Sequence, residues 1–386
     1  MPACRHNGGI YIHLSFGRVI DRLAERYEKV YLCVPIKDAA PVARHDYHIQ
    51  SDNIELIPQP FFASSIGSLR HPVGISLAYV RMCRKAEVLF VRGIAPFVLL
   101  LYLSAWFFRR GVCHWIVGDA VALLRSHRRA SRVLDLLSLA YAWQDRLLTR
   151  VGRRLTGGYL VCNGQELAEV YRSPHTIATV SSTITDDEFF EREDTCAGSR
   201  VKILFVGFIR PEKGVEYLIE ALGGLKIERE WELILVGTCG KYRAYKDKLV
   251  SLINKYGIND KVRWAGYVIY GDSMFEYLRT SDILVLPTLS EGTPRVLVEA
   301  RANSLPIVAT NIGGIPTSVT DGKDGVLVPP KDAAALGAAV ERVISDKKLR
   351  RSLIRNGLET ARRTTVDKFV DLAADVLAKS AADHKK

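Results

Sequence analysis

The chain has 386 residues, 48% hydrophobic and 25% charged, the balance of an ordinary globular protein and a length that two domains fill. A disordered chain, a collagen-like fibre and a coiled coil are excluded. With 54 Lys and Arg against 42 Asp and Glu, the net charge is +12. That charge suits nucleic acid, acidic lipid or a phosphorylated small molecule without choosing among them.

In chain order, Met1–Gly9 is polar and lacks the apolar run of a secretory signal. Gly8-Gly9 stands before any recognisable strand, and an apolar-periodic stretch follows to about Tyr27. An α/β domain ordinarily opens with a strand ahead of its first Gly-rich turn, so a first strand is expected to be missing. Short apolar runs bounded by turns then mark strands at Val30–Val34, Ile54–Ile57, Val88–Val91, Val112–Val117 and Gly158–Val161. Between them, Ile94–Phe108 is the longest apolar run. Its fifteen residues are too few to span a bilayer, which favours a buried helix over a membrane-touching one. From Arg109 to Arg154, ten arginines face three aspartates, and Leu and Ala recur at helical spacing among them. Such a basic amphipathic helix reads either as a solvated face or as a dock for an anionic surface.

The polar stretch Asp186–Arg200 has no apolar periodicity and marks a boundary, giving domains at 1–190 and 191–364. Strands follow at Val201–Val206, Glu232–Val236, Val262–Trp264, Ile283–Pro287, Pro306–Ala309 and Gly325–Val328. Helices are expected at Val215–Leu222, Met274–Thr280, Arg295–Asn303 and Ala333–Ile344. A charged terminal helix within 365–386 is expected to pack back toward the first domain. Alternation of this kind predicts two doubly wound, Rossmann-like parallel sheets facing across a cleft, with ligands beyond the carboxyl ends of the strands. The seven cysteines show no C-x-x-C pair or metal-ligand spacing and read as reduced core thiols of a cytoplasmic protein.

The chemistry concentrates in Leu286–Ala302, LPTLSEGTPRVLVEARA. A strand ends, a loop carries Glu291 and Gly292, and a helix opens with Thr293 as expected N-cap and Pro294 at its first position. The free N–H groups of Arg295 and Val296 then suit an anion. Glu299, inside the helix, places a second carboxylate beyond Glu291, and carboxylates accept hydrogen bonds from sugar hydroxyls. In Ile203–Leu222 a strand leads to Gly207, and the loop after it carries Arg210 and Lys213, two cations suited to a diphosphate. Gly313-Gly314 in ATNIGGIP allows a close backbone approach, and Gly8-Gly9 is the corresponding feature of the first half.

With these motifs assembled, the second half resembles the donor-binding domain of the family 4 retaining glycosyltransferases, which have the GT-B fold. The family's E-x7-E appears as Glu291 and Glu299, supported by VGFIRPEKG, LILVG, GYV, ATNIGGIP and DGKDGVLVPP in the family's order. The resemblance implies that Lys213 neutralises a donor diphosphate, Glu291 contacts the transferred sugar and Glu299 holds the ribose. It also implies that the backbone from Gly292 through Thr293, Pro294 and Arg295 to Val296 meets sugar and phosphate. Tyr267 and Val268 would line the base, and Gly9 would approach the diphosphate. Two departures stand out. Phe208 occupies the position of the family's arginine, for which Arg210 is the substitute. Where the family carries a first-domain histidine, Asp119 is the favoured residue, with His114 read as structural.

The implied activity is metal-independent hexosyl transfer, with no cofactor, from a UDP- or GDP-linked sugar to a glycan or lipid-linked acceptor. Polysaccharide or lipopolysaccharide assembly at the inner face of a membrane is the expected setting. A sugar-nucleotide epimerase or phosphorylase of the same fold is the alternative enzyme. A basic nucleic-acid-binding protein is the alternative from another class, and no aromatic-interleaved basic motif supports it.

Overall fold

The computed structural model describes residues 2–41, 45–62, 65–121, 124 and 132–385. The chain forms two compact units, one of Met1–Thr183 with Val366–Lys386 and the other of Ile184–Thr365.

In the first unit, β1 (Ala3–His6) precedes Gly8-Gly9 and forms an antiparallel hairpin with β2 (Gly9–Ile12). The expectation of no strand before those glycines is therefore corrected. A four-residue strand with the sequence ACRH carries too little apolar signal to be seen, and Asn7 (φ 48°) and Gly8 (φ 80°) make the turn. β1 also runs parallel to β3 (Val30–Asp38), pairing Ala3 with Ile36 and Arg5 with Asp38. With β4 (Tyr47–His48) and β5 (Ile54–Gln59), the sheet order is β4-β2-β1-β3-β5.

A second sheet of this unit is fully parallel, in the order β6-β7-β8-β9: Val88–Arg92, Gly111–Ile116, Tyr159–Asn163 and Thr176–Thr179. The expected single parallel sheet is thus two sheets, one of them with antiparallel members. The helices are α1 (Leu14–Ala24), α2 (Pro72–Lys85), α3 (Val98–Phe107), α4 (Arg132–Thr156), α5 (Gln165–Val170) and the C-terminal α13 (Val366–Lys385). α13 packs on β7 and against α1, where Phe369, Val370 and Leu377 join Trp115 and Val161 in one apolar cluster.

α3 departs from the expected buried helix. Leu101, Tyr102 and Ala105 are buried, but Trp106 is 54% and Phe107 73% exposed. The run is apolar all round, and a helix packed on one side leaves the other face bare. Arg128 and Arg129 of the basic stretch lie outside the described residues.

The second unit holds one six-stranded, all-parallel sheet in the order β12-β11-β10-β13-β14-β15. In chain order its strands are β10 (Arg200–Val206), β11 (Glu230–Val236), β12 (Val262–Gly266), β13 (Ile283–Leu286), β14 (Ile307–Thr310) and β15 (Val326–Val328). β13 and β14 are buried throughout, as expected of parallel strands covered on both faces. The connecting helices are α6 (Val215–Gly223), α7 (Arg243–Lys255), α8 (Asp272–Thr280), α9 (Arg295–Ala302), α10 (Ile315–Ser318), α11 (Ala333–Ser345) and α12 (Lys347–Arg362).

The polar stretch after Thr185 is tied to this unit by its charges. Arg192 donates to the carbonyls of Arg279 (2.8 Å) and Ser281 (2.6 Å), and Asp194 receives Arg350 through two bonds of 2.9 and 3.2 Å. The cysteines form no disulfide, and burial raises the Cys33 thiol to about 11 and Cys83, Cys113 and Cys162 to about 12.

Candidate active site

The order of the second unit's sheet reverses between β10 and β13, and the loops leaving these two strands carry the charged residues of the sequence motifs. After β10 the chain passes Gly207 and Phe208 to a single 3-10 turn, Pro211–Lys213, then Gly214, then α6. After β13 it passes Pro287 and Thr288 to Glu291 and Gly292 before α9.

Backbone contacts knit these loops together. The Leu289 N–H donates to the Glu212 carbonyl at 2.8 Å, and the Thr288 hydroxyl lies 3.0 Å from the same oxygen. Gly214 has φ 62°, and a Cβ there would stand 2.1 Å from the Pro287 carbonyl oxygen. Gly313, after β14, has φ 58°, and its Cβ would stand 2.0 Å from the Glu291 oxygen. Only glycine fits at either place, because the left-handed backbone and the close approach both exclude a side chain.

The result is an ion pair between Lys213 Nζ and Glu291 Oε2, both largely shielded from solvent. Sequence-distant residues of opposite charge are thereby held side by side at the switch point. Glu299 lies one helix further in, on α9, and is only 7% exposed.

The start of α9 differs from expectation. Pro294 is the N-cap, the first helical residue is Arg295, and no side chain caps the terminus. Thr293 does not cap; its hydroxyl is buried without a hydrogen-bond partner. A proline has no N–H to satisfy, so the chain turns into the helix one residue later than a threonine cap requires. The leading N–H groups of α9 remain available to an anion.

Arg210 Nε lies 2.7 Å from Glu212 Oε1 as an ion pair, and its guanidinium carbon sits 5.4 Å from the centre of the Phe208 ring. Phe208, at the family's arginine position, is 61% exposed. At Gly207 itself (φ 154°) a Cβ would meet only the Phe205 ring, at 3.5 Å, whereas a Cβ at Gly237, at the end of the neighbouring β11, would lie 1.9 Å from the Gly207 oxygen, so close packing requires glycine at 237. Tyr267, just past β12, is exposed, and Val268 beside it is half-buried.

The remaining expected residues belong to the first unit. Gly9 begins β2 opposite His6, and a Cβ there would meet the exposed His48 ring at 2.5 Å, so a side chain at this place would have to push that ring aside. Asp119 follows β7, where its Oδ1 accepts from Arg146 Nη2 (2.5 Å) and from the Val121 N–H (2.9 Å). Asp119, Asp145, Arg146 and Tyr171 gather round a cavity of about 20 Å³, room for one water and not for a sugar.

Asp145 was not singled out from the sequence, where it reads as one acid among the arginines of α4. Burial raises its carboxyl to about 7. His114 is a core residue: Tyr102 Oη lies 3.0 Å from Nδ1 and the Gly93 carbonyl 2.6 Å from Nε2. That carbonyl fixes Nε2 as donor and Nδ1 as acceptor, and burial lowers the ring to about 4. Among the described residues, no three His, Cys, Asp or Glu side chains gather in a way that would hold a metal ion. No helix among them is long and apolar enough to cross a membrane.

Residues 186–360, the span that carries the paired loops, match the family model described as Glycosyl transferases group 1. That span, nearly the whole of the second unit, is a group 1 glycosyltransferase domain. A D-inositol 3-phosphate glycosyltransferase of Streptomyces bingchenggensis is 29% identical over 247 residues, 59% of this chain and 54% of that protein. The chain spans about half the length of the curated relatives it matches. Among solved structures, HepE of Anabaena in complex with UDP aligns over 94% of this chain and 96% of its own, with TM-score 0.68 and 18% identity. WaaG, a glycosyltransferase involved in lipopolysaccharide biosynthesis, aligns over 95% and 96%, with TM-score 0.65 and 16% identity. At these identities the likeness is one of fold, the GT-B architecture of two Rossmann-like α/β units.

Proposed function

We propose that this glycosyltransferase moves a hexose, with retention at the anomeric carbon, from a UDP- or GDP-linked sugar to a hydroxyl of a glycan or lipid-linked acceptor. The observation that carries the reading is the Lys213–Glu291 pair at the switch point of the second unit's sheet, beside the uncapped start of α9. In this scheme the donor takes up the lysine: its diphosphate draws Lys213 away from Glu291 and rests on the first N–H groups of α9. Glu291 is then released to meet the sugar hydroxyls, and Glu299 holds the ribose. As the bond from the anomeric carbon to the diphosphate breaks, negative charge grows on the leaving group, and the ammonium and the fixed N–H dipoles stabilise it. These cations and amides serve in place of a metal ion, and no cofactor takes part.

UDP bound to the structural neighbour HepE supports a nucleotide handle. A screen of nucleotides and nucleotide sugars by thermal shift tests the reading, since a ligand that binds only the native state raises its melting temperature. Saturable stabilisation by UDP, GDP or one of their sugars is expected. Salt-sensitive binding of duplex DNA with no nucleotide effect would replace transfer with the basic-binder reading.

For the acceptor we propose a lipid-anchored glycan of polysaccharide, glycolipid or lipopolysaccharide assembly, met at the cytoplasmic face of an anionic membrane. Trp106 and Phe107 of α3, with Leu136 and Leu147 of the neighbouring, arginine-bearing α4, leave an apolar surface with basic flanks. Apolar side chains that enter the headgroup region beside cations are the signature of interfacial binding. Replacing Trp106 and Phe107 together by Ser is expected to reduce co-sedimentation with phosphatidylglycerol vesicles several-fold. Unchanged partitioning would remove the membrane from the proposal.

A further inference from the structure

Lys213 and Glu291 sit on loops that leave different strands, 78 positions apart in the chain. Their pairing holds only while the main chain beneath each keeps a fixed distance from the other. One side chain spans that gap. Thr288, just past β13, is fully buried. Its hydroxyl lies 3.0 Å from the carbonyl oxygen of Glu212 and 3.1 Å from that of Ser290. These are the residues immediately ahead of Lys213 and of Glu291. A threonine hydroxyl has one hydrogen to give, so Thr288 shares it between the two loops.

The bridge is itself braced. At the end of β14 the Thr310 hydroxyl, on a residue 2% exposed, donates to the Thr288 carbonyl at 2.6 Å. The Glu212 carbonyl also accepts the Leu289 N–H at 2.8 Å, which uses both of its lone pairs. Through Thr310, then, β14 fixes Thr288, and Thr288 fixes the footing of both charges. Valine would fill the same space as either threonine, so it is the hydrogen bonds that call for a hydroxyl.

We propose that Thr288, braced by Thr310, is a positioning residue that sets the spacing of Lys213 and Glu291 and so fits the site to a diphosphate rather than to a single phosphate. The inference rests on the roles proposed above for those two side chains. A lysine ammonium is a point charge on a flexible stem, and where its backbone stands decides which phosphate it meets while Glu291 faces the sugar. The outer phosphate gains most from that ammonium, and a nucleoside monophosphate lacks it. A displacement of about 1 Å caused by a residue remote from the chemistry can cost about a hundredfold in rate.

The test compares Thr288→Val, which removes the hydroxyl, with Thr288→Ser, which keeps it. Each is titrated with UDP and UMP, and with GDP and GMP, and the ratio of the two affinities is read. In Thr288→Val the preference for the diphosphate is expected to fall about fivefold or more, with monophosphate affinity within about twofold of the parent. Thr288→Ser should keep the parent ratio. Should Thr288→Val fail to fold, Thr310→Val carries the same comparison against Thr310→Ser. Hydrogen exchange supplies a reading that needs no nucleotide. The Leu289 amide, which shares the Glu212 carbonyl, should exchange about tenfold faster in Thr288→Val and at the parent rate in Thr288→Ser. Equal weakening of both nucleotides, or serine no better than valine, marks a merely structural threonine and overturns the proposal. So does unchanged exchange at Leu289. A parent chain that binds neither nucleotide would end the transferase reading instead, and exchange at Leu289 would still decide whether Thr288 ties the two loops.

Discussion

The two units of this chain are built from similar strands and helices and differ in how their sheets close. In Ile184–Thr365, six parallel strands form one sheet, and the loops that leave β10, β13 and β14 are locked together by glycines pressed against carbonyl oxygens. Among the described residues of the first unit, nine strands fall into two sheets with an 880 Å³ slot between β3 and β6. Its polar group, Asp119 with Arg146 and Asp145, surrounds room for about one water. A rigid array of strand ends can hold charges at fixed spacing, as catalysis demands. The first unit instead spends its charge and apolar surface on exposed helices.

The comparison breaks most readily at the carboxylates. Glu291→Gln is expected to lower turnover by about 10²–10³-fold with nucleotide affinity nearly intact, as for loss of a group that acts in the transition state. Glu299→Ala is expected to weaken nucleotide binding by about tenfold, the loss of one or two hydrogen bonds to a charged acceptor. Steady-state kinetics beside nucleotide titrations checks both. Equal losses in the two measurements for both variants would end the division of roles.

Glycine substitutions sharpen the contrast in rigidity. Gly214→Ala forces a Cβ to within 2.1 Å of the Pro287 oxygen, whereas nothing lies within 4 Å of a Cβ at Gly118 in the first unit. The first change should destabilise by about 2–3 kcal/mol and the second by well under 1 kcal/mol. Comparable denaturant midpoints for the two would show that the stitched loops are not rigid.

Two buried titrating groups of the first unit, His114 and Asp145, give the comparison a pH dependence that nearly cancels in the parent chain. His114 is lowered from 6.5 to about 4, so the unfolded chain takes its proton first, and stability falls as pH drops through that window. Asp145 is raised from 3.8 to about 7, so the native chain keeps its proton longest, and stability falls as pH rises through that window. Each slope approaches ~1.4 kcal/mol per pH unit, and between about pH 4 and 6.5 they oppose each other. Relative to the parent chain, His114→Gln should lose stability as pH rises across that range, and Asp145→Asn should gain it. Denaturant unfolding at several pH values reads this directly, and parallel profiles for all three proteins would refute it.

Much of the second unit was legible from residues alone. Buried parallel strands are continuous apolar runs, so each of its six strands was placed to within a residue or two. Lys213 and Glu291 stood out as candidates because charged residues beside Gly and Pro at strand ends have few structural uses, and Glu299 stood out by its spacing from Glu291. The helix start was misjudged by one residue at Thr293, since threonine is a good cap anywhere and only the path of the chain decides whether it serves. β1 was missed because its four residues are held by partners distant in sequence. α7 and α12, whose charged faces mask their apolar stripe, were not singled out either. Asp145 gave no local signal, because burial is a property of what surrounds a residue and not of its neighbours in sequence.

By itself, then, the order of amino acids determined two α/β units, the strand ends that carry charge and the family to which they belong, because periodicity and glycine placement are local. Tertiary structure alone decided that Lys213 and Glu291, 78 positions apart, meet as a pair, and that the first unit's strands leave an open lane between β3 and β6. Such meetings depend on how distant segments pack, and no stretch of sequence contains that information on its own.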